Sequence, residues 1–209
     1  MTISPDRNRR TAGWLLVTGA ALHFTAQLLI TLAGHPPTTA AAIAGWVAEK
    51  SFFISASNEL LFFAIVFLVP GILLAFRQSE GQRPVALLAS SSTLVLALVV
   101  LLMLIPVEGR LVYPVFGIAI DDESTALVLS LFFGGLHLVQ LLLAVSLLCL
   151  AASVRSSGPR WRPLALAAVA ILQIAASFPW LTPPWLSVVA AVSLLAVGAV
   201  AGRSLITRR

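Results

Sequence analysis

Charge is what this sequence has least of. Only 10% of its 209 residues are charged, while 59% are hydrophobic. Soluble domains carry about 25% charged residues, so a soluble fold of this size has too little polar side chain to cover itself. Most of the surface must face lipid. Cysteine is scarcer still. Cys149 is the single one, which excludes an intrachain disulfide and a cysteine-built metal site. It lies in an apolar run and reads as a small buried residue. A phosphate-cradling glycine loop, a Gly-x-Ser-x-Gly turn and metal-spaced His/Cys sets are also missing, so no cofactor and no metal is expected. The net charge of +5 does not mark a nucleic-acid binder. The basic residues stand in short clusters between apolar runs, a placement that orients a chain in a bilayer.

What is present is spanning length. About 20 apolar residues cross a bilayer, and six runs meet that requirement, at 13–33, 52–76, 84–106, 125–154, 162–180 and 184–202. "RNRR" at 7–10 precedes the first run, which is too long for a signal-peptide core and reads as a retained helix. Prolines punctuate the rest. Pro36 and Pro37 follow the first run, Pro84 opens the third, Pro106 closes it and Pro163 opens the fifth, positions that suit first turns and helix ends. Pro70-Gly71 lies inside the second run and suggests a kink. "FPWLTPPW" at 178–185 makes a tight turn whose tryptophans suit a membrane–water interface.

Arginine placement sets the topology. Arg7, Arg9, Arg10, Arg77, Arg83, Arg155, Arg160, Arg162, Arg203, Arg208 and Arg209 fall on one side, with Lys50 and Arg110 on the other. Glu49, Glu108, Asp121, Asp122 and Glu123 fall in the outer loops. The positive-inside rule then puts both termini in the cytoplasm. The expected fold is an all-α polytopic transmembrane bundle of six helices forming one domain, in the cell (plasma or inner) membrane. Residues 38–50 suggest a short interfacial helix with Ile43, Trp46 and Val47 on one stripe. Residues 107–124 hold an apolar decapeptide too short to span, which either covers the outer mouth of the bundle or rests on lipid headgroups. Asp121-Asp122-Glu123 reads as the solvated start of the fourth helix, with cation binding as the alternative.

Inside the spans, three side chains can carry charge near neutral pH: His23, Glu59 and His137. Glu59 lies about 10 Å below the outer start of its run at 1.5 Å per residue. A carboxylate at that depth costs about 2.5–3.5 kcal/mol on insertion scales and marks a functional site by default. Ser55, Asn58, Glu59 and Phe62 run i, i+3, i+4, i+7 along one helix face; His23 and Gln27 are four apart, His137 and Gln140 three apart. Gln173 falls near the middle of its helix. If these stripes meet, they form a polar pocket in the outer half of the bilayer, with Phe62 and Phe133 among its apolar walls. Each histidine or glutamine taken alone is also explained as an interhelical tie. "ALHFTAQLLI" (21–30) and "GLHLVQLLLA" (135–144) further suggest two inverted halves, a transporter-like pattern. "GAVAG" at 198–202 fits small-residue helix packing.

"RRTAGWLL" at the first helix and "SSGPRWRPLALAAV" before the last pair resemble an uncharacterised family of small bacterial multi-pass membrane proteins, a resemblance that implies no known activity. By size and helix density the chain also looks like the small integral-membrane terpene cyclases, an analogy of architecture alone.

These residues point first to a membrane-embedded enzyme acting on a lipophilic, isoprenoid-like small molecule. In that scheme Glu59 is the general acid or base, His23 and His137 tune or relay the proton, and Asn58, Gln27, Gln140, Phe62, Phe133 and Gln173 hold the substrate. The alternatives are a proton- or cation-coupled transporter or receptor-like protein, and a non-catalytic subunit. Expected partners are membrane lipids, a lipophilic small molecule, and a second copy or partner subunit, with no nucleic acid.

Overall fold

The computed structural model describes residues 5–78, 84–155 and 159–207. Arg83, Arg208 and Arg209 lie outside them. The described chain is all-helical: α1 (Pro5–Ala33), α2 (Ala40–Arg77), α3 (Pro84–Val112), α4 (Asp122–Val154), α5 (Trp161–Ala176) and α6 (Pro184–Thr207), with a 3-10 turn at Val115–Gly117. Backbone groups have no water to bond in a bilayer, so each crossing segment must satisfy its own, which helices do. Five of the six helices are long and apolar enough to cross a membrane. α5, with 16 residues, rises about 24 Å, short of the roughly 30 Å hydrocarbon core.

Each helix packs against the next, α6 returns to α1, and α2 also touches α4. Leu16, Leu61, Leu101, Leu104, Phe132 and Leu136 belong to one core that α1–α4 share; Ala144, Leu147 and Ala170 join α4 to α5. The α1–α6 seam rests on small residues. A Cβ on Gly202 would stand 2.6 Å from the Gly13 carbonyl oxygen, and one on Gly198 would stand 2.6 Å from Ala20 Cβ. The small-residue packing expected of "GAVAG" is therefore present, and it sets the start of α1 beside the end of α6. That end of the bundle carries Arg7, Arg9, Arg10, Arg77, Arg155, Arg160, Arg162 and Arg203. Arg110 stands at the opposite end, with the 34–39, 113–121 and 177–183 connections.

Beyond α1 starting at Pro5 rather than 13 and α6 running to Thr207 rather than 202, three boundaries differ from the sequence expectation. The stripe read as a separate interfacial helix is the beginning of α2: Trp46 Nε1 donates to the Ala33 carbonyl at 3.2 Å and Val47 is buried. The stripe docks on the end of α1, and the Ala-rich segment runs on without a break. α3 does not stop at Pro106 but continues to Val112. A proline removes one intrahelical donor, yet the turn beyond it is held from α2, as described below. α5 ends at Ala176 rather than at 180, and residues 177–183 form the turn, closed by Leu181 and Thr182 amides donating to the Phe178 carbonyl.

Of the 107–124 segment, the part up to Val112 extends α3. Arg110 donates to the carbonyls of Tyr113 (3.2 Å) and Ile118 (2.6 Å), tying the connection down, and Val115, Phe116 and Ile118 are exposed, Phe116 at 95%. Asp121 caps α4 by accepting from the Ser124 amide at 2.7 Å. Cys149 is half-buried.

Candidate functional site

A cavity of about 60 Å³ lies where α1, α4 and the α5–α6 turn come together. His23 and Gln27 line it from α1, as their four-residue spacing requires. Phe133, Leu136 and Gln140 line it from α4. Gly34, His35 and Pro36 of the α1–α2 connection and Pro179 of the α5–α6 turn frame it on the side away from the arginine-rich end. Two buried polar atoms of lining residues, His23 Nδ1 and Gln140 Oε1, find no partner among the described residues. Leaving such a group unpaired costs about 1–3 kcal/mol. One water needs only about 10–15 Å³, so the cavity has room for a small polar group. The wall is apolar where Phe133 and Leu136 stand. A ligand there meets an acceptor at Gln140, a ring nitrogen at His23 and an aromatic face.

The structure does not gather the other expected residues into this cavity. Glu59 is on the exposed side of α2, where the Tyr113 hydroxyl donates to its Oε1 at 3.2 Å. Phe62, one turn on, is 41% exposed. His137 turns toward the connection after α5. Its Nδ1 is 3.0 Å from the Ser177 carbonyl, and its ring lies 4.5 Å from Phe178 and 6.1 Å from Trp180, centre to centre. Gln173 is fully buried between α5 and α6, donating to the Ala190 carbonyl at 3.1 Å and to Ser193 Oγ at 3.3 Å. Both residues act here as interhelical ties. The polar stripes of α1 and α4 therefore meet, and that of α2 does not join them.

The α2 stripe has a different partner, which sequence reading misplaced in an outer loop. Asn58, buried, donates through its amide nitrogen to the Ile105 carbonyl (3.0 Å) and to Glu108 Oε2 (3.2 Å). Glu108 is only 1% exposed, and its Oε1 has no partner among the described residues. Gly109 makes the approach possible, since a Cβ there would stand 3.1 Å from the other arm of the Asn58 amide, which is its oxygen in this orientation. The signal was legible. Leu101, Leu104 and Glu108 run i, i+3, i+7, a single helix face, and the two leucines are buried. Reading Pro106 as a helix end hid it.

Around Glu59, loss of water raises the Tyr113 hydroxyl above its ordinary pKa, and the charges of Glu59 and Glu108 push it the same way. Tyr113 thus stays a hydrogen-bond donor through the physiological range. Among the described residues no group of three or more His, Cys, Asp or Glu is placed to hold a metal ion.

Comparison with protein-family models, curated proteins and solved structures finds no match for this chain. Fold and hydropathy by themselves define an integral membrane protein of the multi-pass helical class, with a cavity at the end of the bundle opposite its arginine-rich end.

Proposed function

We propose that this protein binds a lipophilic small molecule of isoprenoid-like class with its polar head in the cavity between α1 and α4, and that His23 exchanges a proton with that head. The arginine-rich end faces the cytoplasm, so the cavity is reached from the outer half of the bilayer. The observation that carries this reading is the pair of unpartnered buried atoms, His23 Nδ1 and Gln140 Oε1, contributed to one hollow by two different helices. Packing alone does not favour such atoms, because each forfeits a hydrogen bond. Phe133 supplies a ring face on which a developing positive charge is stabilised. Gln27, one turn above His23, orients the head group. Glu59, being outside the cavity, drops out of the acid–base scheme and His23 takes that role.

The test uses the purified protein in nanodiscs with a series of isoprenoid alcohols and phosphates. Binding and turnover are followed by mass spectrometry for wild type, His23→Leu and Gln140→Leu. Each variant should weaken binding about tenfold, the worth of one buried hydrogen bond, and His23→Leu should also abolish turnover. Unchanged binding in both variants overturns the proposal.

A second reading, a proton- or cation-coupled transporter, draws on the buried Glu108 carboxylate, since intramembrane acids mark ion pathways. It requires solute flux into liposomes that responds to a pH gradient. A non-catalytic subunit would instead tolerate Leu at His23 and Gln140 together, and would copurify with its partner.

A further inference from the structure

Glu108 stands apart from the cavity, and its surroundings pose a separate problem of charge. It is 1% exposed, packed where α3 meets α2. One oxygen accepts from Asn58 and the other finds no donor among the described residues. A single neutral amide is little compensation for a buried carboxylate, which costs several kcal/mol when ionised without a cation.

The charged neighbours do not provide that cation. Arg110, on the same helix, spends its guanidinium on the Tyr113 and Ile118 carbonyls. From α2, Glu59 is acidic, and Lys50 pairs with Glu49 at 2.6 Å. From the connection after α3, Tyr113 donates to Glu59. At the start of α4, Asp121, Asp122 and Glu123 are exposed and acidic. Among the described residues the ion pairs are Arg9–Asp6 and Lys50–Glu49, neither of which reaches Glu108. None of these groups places a cation against the Glu108 carboxyl.

We propose that Glu108 is a proton-binding site, occupied at neutral pH, with Asn58 and Gly109 as its positioning residues. The proton cancels the uncompensated charge on the carboxyl group. Asn58 holds Oε2 against α2, so the charge state of Glu108 is coupled to the α2–α3 contact. Gly109 matters because any larger residue presses on the Asn58 amide. The inference does not depend on what the α1/α4 cavity binds.

Infrared titration of the protein reconstituted in nanodiscs tests it through the carbonyl stretch of a protonated carboxylic acid. At neutral pH exposed carboxylates are ionised, so wild type should show one protonated-carboxyl band, which disappears at alkaline pH. Glu108→Gln should lack the band. Glu108→Asp should shift it, which identifies the group even if the Gln variant does not fold. Glu59→Gln should keep it, and Asn58→Leu should move its frequency, a change that a merely structural asparagine would not cause. Absence of the band in wild type, or its persistence in Glu108→Gln, overturns the proposal. Loss of the band on adding sodium chloride at fixed neutral pH would also overturn it, by making the occupant a metal cation.

Discussion

Asn58 on α2 and Glu108 on α3 meet at 3.2 Å, both buried, and this contact explains why α3 passes through Pro106. The turn after the proline is held from the neighbouring helix rather than by its own complete ladder. Removing one partner leaves the other unpaired. Asn58→Leu should therefore destabilise the protein by about 1–3 kcal/mol, and the double variant Asn58→Leu/Glu108→Leu should lose less than the sum of the two single changes. Unfolding in bicelles measures the cycle, and strict additivity would show that the two side chains do not interact.

The α1–α6 seam makes a second prediction. A methyl group on Gly202 would overlap the Gly13 carbonyl, 2.6 Å from its oxygen. Backbone cannot give way as a flexible side chain can, so α6 must move off α1. Gly202→Ala should cost about 1–3 kcal/mol, the usual range for overpacking. Gly45, inside α2 with open space where its Cβ would stand, is the control. Gly45→Ala should be neutral or stabilise by about 0.5–1 kcal/mol, because alanine loses less backbone freedom in a helix. Thermal unfolding of both variants in one detergent reads the contrast.

The α4 cap is sensitive to acid. The hydrogen bond from Ser124 holds the Asp121 carboxyl below its ordinary value of 3.8. A carboxylate with a lowered folded-state value stabilises above its unfolded value, and that contribution disappears as pH falls through the folded value. Acidification below about pH 4 should therefore fray the start of α4. Amide hydrogen exchange at Ser124 and Thr125, corrected for intrinsic rate, should rise there. Asp121→Asn should remove the pH dependence while keeping part of the cap.

Gln173 ties α5 to α6 through its amide nitrogen alone. Gln173→Leu should cost only about 0.6 kcal/mol, the average worth of an interhelical hydrogen bond in a bilayer. Gln173→Glu should cost more, since it puts an acid at a fully buried position and replaces the donor to the Ala190 carbonyl. Equal stability of the two variants would mean that water reaches the site.

His137 positions the turn that frames the cavity. His137→Phe keeps the ring stack with Phe178 and Trp180 but loses the bond to the Ser177 carbonyl. The turn should loosen, seen as a red shift of Trp180 emission in a background with the other tryptophans replaced. Ligand affinity should fall, since Pro179 belongs to that turn and lines the cavity.

Composition and run length were enough to determine that the chain is a multi-pass helical bundle, because twenty apolar residues in succession have one solvent that suits them. Local spacing was enough to put His23 with Gln27 on one face, and to mark "GAVAG" as a close-packing seam and Asp121 as part of a helix start, since each depends on a few neighbouring residues. Which faces meet was decided only by the tertiary structure. A helix face has no address in sequence; it is turned toward one neighbour or another by the packing of all six helices. That rotation brings Gln140 to His23, sends His137 to the α5–α6 turn and leaves Glu59 on the outside with Tyr113. The same packing carries α3 past a proline that local rules read as an end, and buries Glu108 against Asn58.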